Sequence, residues 1–172
     1  MLSQLYIENV AVIEKATIEF HKGFNILTGE TGAGKSIIID SMHGILGERT
    51  SKDMVRSGAE SAFVSGLFTD LTEQAINKLQ ELGFEPEEDG SVLIHRTIQA
   101  EGKSTCRING RPATVSALKE LGKTLMNIHG QHESYHLLSP ELHIHYIDES
   151  GDLNTLVKEY RSVYQELKQI QS

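Results

Sequence analysis

Residues 29–36 read Gly29-Glu30-Thr31-Gly32-Ala33-Gly34-Lys35-Ser36, a full match to the pattern G-x-x-x-x-G-K-[ST]. The flanks constrain the fold further. Phe24-Asn25-Ile26-Leu27-Thr28 leads in as a short apolar run of strand type. Ile37-Ile38-Ile39-Asp40-Ser41-Met42 leads out, with apolar residues at helical spacing through Ile45 and Leu46. Strand, glycine loop and helix form the arrangement that phosphate binding needs. The glycines let successive backbone N–H groups turn inward around a phosphate, and the helix N-terminus adds partial positive charge. Lys35 is placed to reach the β- and γ-phosphates, and the Ser36 hydroxyl to bind Mg²⁺. A glycine-rich turn with a chance lysine would not bring both flanks with it. The pattern predicts a nucleoside triphosphate bound with Mg²⁺.

The rest of the composition bounds the class of protein. Of 172 residues, 38% are hydrophobic and 23% charged, which suits a soluble globular chain. No apolar run approaches the ~18 residues of a membrane span. The N-terminus enters strand-like alternation directly, so no signal peptide is expected. The single cysteine, Cys106, excludes an internal disulfide and suits a reducing cytoplasm. A net charge of −8 offers no bulk attraction to nucleic acid, so DNA contact would need a local basic patch.

Along the chain, residues 1–20 hold two strands, with Leu5 and Ile7 on one face of the first and Ile18 and Phe20 in the second. A helix over 36–46 stops at Gly47, and a polar stretch carrying Arg49, Lys52 and Arg56 follows. A strand over 62–68 leads to a helix started near Asp70–Thr72, with Ile76, Leu79 and Leu82 in one stripe and Gly83 at its close. Strands over 92–98 and 104–108 come next. Asn109-Gly110 then marks a two-residue hairpin turn, because both residues accept positive φ. A helix over 114–121 follows. Helices and strands do not strictly alternate, so the fold class is α/β with a mixed sheet.

From Asp152 onward glycine and proline vanish. Leu153, Leu156, Tyr160, Val163, Leu167 and Ile170 recur at spacings of three and four, an a/d heptad seam. The seam reaches the last residues without a cap, which predicts further chain beyond it.

Two other features invite chemistry. Ile144–Glu149 superficially resembles an apolar strand ending in two carboxylates, Asp148 and Glu149, that could serve Mg²⁺ and water. Ser139-Pro140-Glu141 just upstream is a helix start, and His143 and His145 interrupt the apolar run, so a short helix is expected instead. His129, His132, His136, His143 and His145 match no zinc spacing, and a polar loop and helix surface are expected there.

Several stretches resemble the SMC-like chromosome and repair ATPases, and within them the bacterial RecN branch. They are Leu5–Ile13, Leu27–Ser36, Gly47-Glu48-Arg49, Arg107-Ile108-Asn109-Gly110-Arg111 and Ile128-His129-Gly130-Gln131-His132-Glu133. The resemblance implies a P-loop head of SMC/ABC type, split by an inserted coiled coil into N- and C-terminal lobes. Residues 1–150 would form the N-terminal lobe and 151–172 the start of the coiled coil. It implies that Gln131 reaches Mg²⁺ and the γ-phosphate of ATP, so that Lys35 and Gln131 act in catalysis. It also implies that Arg49 faces nucleotide or DNA, and that Asn9 and Val10 cradle the adenine. The implied partners are the C-terminal lobe, a second head with ATP between the two, and DNA. The implied task is recombinational repair of double-strand breaks in the bacterial cytoplasm, at the nucleoid. Another SMC-like head, or a non-hydrolysing nucleotide-gated DNA tether, remain open alternatives.

Overall fold

The computed structural model describes residues 1–29, 34–128, 144, 147, 148, 150, 151 and 153–171. By its contacts the chain divides into two units, Met1–Ile128 and His129–Ser172.

The first unit is one sheet with helices on it. Its strands are β1 (Leu2–Val10), β2 (Ile13–Glu19), β3 (Ser61–Phe68), β4 (Val92–Gln99), β5 (Ser104–Ile108) and β6 (Arg111–Ala113). They lie in the order β2-β1-β3-β4-β5-β6, and every pairing is antiparallel. Three helices belong to this unit: α1 (Lys35–Ile45), α2 (Glu73–Glu81) and α3 (Val115–Leu125). Helix α1 packs on β1, β3 and β4, while α3 packs on β5 and on α2.

Local sequence accounts for most of these boundaries. The Thr72 hydroxyl accepts from Ala75 N to start α2, and Thr114 accepts from Ala117 N to start α3. Asn109 (φ 47°) and Gly110 (φ 73°) make the turn between β5 and β6. The Asn109 side chain adds to that turn, accepting from Leu93 N at 2.8 Å and donating to Glu85 O at 2.7 Å. Alternation does the rest. Leu5, Ile7, Val64, Phe68, Ile94 and Ile108 point to one face of the sheet, where they are fully buried with Ile45, Leu79, Leu118 and Leu121 of the helices. On the opposite face the rings of Tyr6, Phe63 and His95 touch in a row across β1, β3 and β4. Burial, with Arg107 nearby, lowers the His95 pKa.

Gly66 on β3 sets how closely α1 can approach. A Cβ there would meet Ile45 Cδ1 at 2.3 Å, so a larger residue makes that side chain turn away or the helix move out. Gly66→Val overpacks that contact, and a loss of about 1–3 kcal/mol in urea unfolding is expected. Unchanged stability would show that α1 shifts at no cost.

Two expectations need correction. Residues 24–28 form no strand: Phe24 is 91% and Ile26 68% exposed, and none of the five pairings includes them. A strand needs a hydrogen-bonding neighbour, and no described residue provides one. The sheet is therefore antiparallel rather than mixed. All five strand pairings among the described residues are antiparallel.

The second unit is described in part. Ile144, Ile147, Asp148 and Ser150 are helical, in keeping with a helix rather than an acidic-ended strand. Helix α4 (Asn154–Gln171) follows. Its heptad residues Leu156, Tyr160, Val163, Leu167 and Ile170 are all exposed. Tyr160 stacks on Tyr164, and the Lys168 ammonium lies over the Tyr164 ring. Among the described residues no helix is long and apolar enough to cross a membrane.

Candidate nucleotide-binding site

Gly34 is the N-cap of α1, and Ile38 N donates to Gly34 O at 3.1 Å to open the helical ladder. No side chain caps this end and no acidic residue lies in the first turn. The first N–H groups of α1 therefore keep their capacity to donate to an anion. Lys35 folds back so that its ammonium donates to Gly29 O, and the Ser36 side chain is exposed. The lysine thus spans the glycine loop from end to end. Glu30, Thr31, Gly32 and Ala33 lie outside the described residues, as does Gln131. The five histidines of the second unit lie outside them too.

One turn into α1, the surface opens into a hollow of about 240 Å³ lined by Val10, Ala11, Ile37, Asp40, Ser51, Asp53 and Met54. Three segments far apart in sequence build it. The β1–β2 turn carries Asn9 and Ala11 at positive φ, 55° and 49°. Residues 54–56 then dock on that turn: Ala11 N donates to Met54 O, Arg56 N donates to Asn9 O, and Val10 bridges to Val55. The Arg56 guanidinium ties the same turn from outside by donating to Val12 O. Ser51 caps the short 3-10 turn Lys52–Met54, accepting from Asp53 N and donating to the Asp53 carboxylate at 2.8 Å.

Of the two residues expected around the adenine, Val10 lines the hollow, while Asn9 shapes the turn behind it. Ala11, Ile37, Asp40, Ser51, Asp53 and Met54 were not anticipated. Only the Ser51-x-Asp53 turn signal was visible in the sequence, and it does not reveal its partner.

Arg49 is exposed in the loop after α1. The 11 residues of α1 separate it from the phosphate loop, a helix length of roughly 16 Å. Cys106 is buried, and burial pushes its thiol pKa up, so it is a core side chain rather than a reactive one.

The AAA domain family matches residues 4–172. The chain belongs to that family. It is RecN-like over nearly its whole length: it is 43% identical over 169 residues to the DNA repair protein RecN of Halalkalibacterium halodurans. That alignment covers 96% of this chain and 30% of the relative, so the chain spans about a third of that protein. Among solved structures, the Smc head domain with a coiled coil and joint from Pyrococcus yayanosii superposes with a TM-score of 0.64 at 26% identity. It covers 98% of this chain and 35% of that one. A second chain, from work on ATP-driven dimerization and DNA-stimulated activation of SMC ATPases, gives a TM-score of 0.62 at 25% identity. Here 86% of this chain and 97% of the other are covered. The fold is thus that of an SMC-type head lobe.

Proposed function

We propose that residues 1–150 are the N-terminal lobe of an SMC-like ATPase head and that 151–172 open its coiled coil. The whole protein would bind ATP between two heads and act in recombinational repair of DNA double-strand breaks, in the bacterial cytoplasm at the nucleoid. The observation that carries this reading is the phosphate-loop sequence delivered to an uncapped α1 N-terminus, with the Lys35 ammonium folded over it.

The donor set fits a triphosphate. Backbone N–H groups of residues 29–36 and Lys35 would hold its oxygens, and the hollow beside Val10 and Ile37 is large enough for a purine. Mg²⁺, held by Ser36 and Gln131, would neutralise charge between the β- and γ-phosphates when bound. Arg49, exposed in the loop after α1, would meet DNA or the nucleotide of a second head.

Two exposed apolar segments support the missing partners. Phe24, Ile26 and Leu27 form a strand-type run with no pairing strand among the described residues, as expected of a strand completed by the C-terminal lobe. The exposed seam of α4 suits a returning coiled-coil helix.

Base placement is tested by filling the hollow. Ala11→Leu should weaken ATP binding about tenfold, equivalent to ~1.4 kcal/mol, and leave inorganic tripolyphosphate binding unchanged. An equal loss for both ligands would move the adenine out of the hollow.

A further inference from the structure

Arg96 lies on β4 and is only 3% exposed. Its Nη1 donates to Gly44 O at 2.7 Å and to Glu48 O at 2.6 Å. Its Nη2 donates to Thr50 Oγ1 at 3.1 Å and lies 3.5 Å from Ser104 Oγ. Nε has no partner. No carboxylate pairs with the guanidinium among the described residues. Burial lowers its pKa from the usual arginine value.

A buried cation needs such partners to offset its desolvation, and here two of them, Glu48 O and Thr50 Oγ1, belong to the loop after α1. Capping the C-terminal end of α1 would need only the bond to Gly44 O. The other two strong bonds go to Glu48 and Thr50, the residues on either side of Arg49. The same loop is held from the far side by α3. Gly47 sits at φ 84° against that helix, where a Cβ would meet Lys119 N at 2.3 Å. The Glu48 carboxylate also pairs with Lys119 at 3.3 Å. With both neighbours of Arg49 fixed, its exposed side chain leaves the surface from a rigid base.

We infer that Arg96 is a positioning residue for Arg49: a buried guanidinium that holds the backbone on both sides of the exposed one, so that Arg49 is presented in a single direction. This rests on the reading above that Arg49 contacts DNA or the opposing nucleotide. The position of Arg96 in mid-strand, 47 residues from Arg49, hides the connection in the sequence.

The test uses the intact protein that carries this segment, with Arg49→Ala, Arg96→Met, Arg96→Lys and the Arg49→Ala/Arg96→Met double variant. The readouts are ATP turnover with and without DNA, and the salt dependence of DNA binding. Arg49→Ala should lower DNA-stimulated turnover about tenfold or reduce the DNA salt slope by about one. Arg96→Met should reproduce the same change, Arg96→Lys should recover part of it, and the double variant should be no worse than Arg49→Ala alone. Thr50→Val, which removes one anchor and leaves the guanidinium bound elsewhere, replaces Arg96→Met if that variant does not fold. Losses that multiply in the double variant would overturn the inference, because Arg96 would then act independently of Arg49. So would an Arg49→Ala variant that changes neither readout, since there would be nothing to position. Nucleotide binding that survives Lys35→Ala would instead sink the ATP-site reading, and that result is read separately.

Discussion

Lys35→Ala should abolish measurable ATP binding while leaving the fold intact. The ammonium is free of carboxylates in the described structure and donates only to the Gly29 carbonyl at the far end of its own loop. No core contact depends on it, so thermal stability should not change. Against a triphosphate the same group makes charge-assisted contacts worth about 1.5–3 kcal/mol, a loss of roughly 10- to 150-fold in affinity. Isothermal calorimetry on wild type and variant decides it. Unchanged affinity would remove the phosphate site from residues 29–36.

The second large effect concerns turnover. This chain provides Lys35 and Ser36 at the start of α1, and Gln131 by resemblance; the carboxylates weighed for Mg²⁺ and water were Asp148 and Glu149. Asp148 lies in a helix. Positioned groups carry most of the rate in phosphoryl transfer, with single donors worth about 10²–10³ and a charge supplied in trans up to about 10⁵. The isolated 172 residues should therefore bind ATP–Mg²⁺ weakly and hydrolyse it near background. Joined to the rest of the head, turnover should rise by about 10³ or more. Asp148→Ala and Glu149→Ala should leave that restored turnover nearly unchanged. Robust hydrolysis by the isolated chain, lost in Glu149→Ala, would overturn both the split site and the helical reading of 139–149.

Some of this site was written locally. The glycines, Lys35 and Ser36 form one contiguous signal, and α1 begins where that signal ends. Thr72 and Thr114 place helix starts through bonds to residues three positions on, and Asn109-Gly110 place a turn through their positive φ. The periodicity of Leu5, Ile7, Val64 and Ile94 marks the buried face of the sheet without any knowledge of strand order. The a/d spacing of Leu153–Ile170 marks a helix in the same way.

The failure at Phe24–Thr28 has a specific cause. β-propensity reports a surface that fits a sheet, not whether a neighbour is present. The run has strand composition, yet no described strand lies beside it, so it stays unpaired with Phe24 and Ile26 exposed.

By itself the sequence determined the glycine-lysine pattern ahead of α1, most of the element types and the faces they bury, because those depend on residues a few positions apart. Only the tertiary structure decided the hollow and the base of Arg49. The hollow forms when Met54–Arg56 dock on the turn at Asn9–Ala11, a contact across more than 40 positions. The grip on Arg49 forms when β4 carries Arg96 under the loop that follows α1. No local pattern encodes either contact, because each needs the antiparallel order β1-β3-β4 to exist before the side chains can meet.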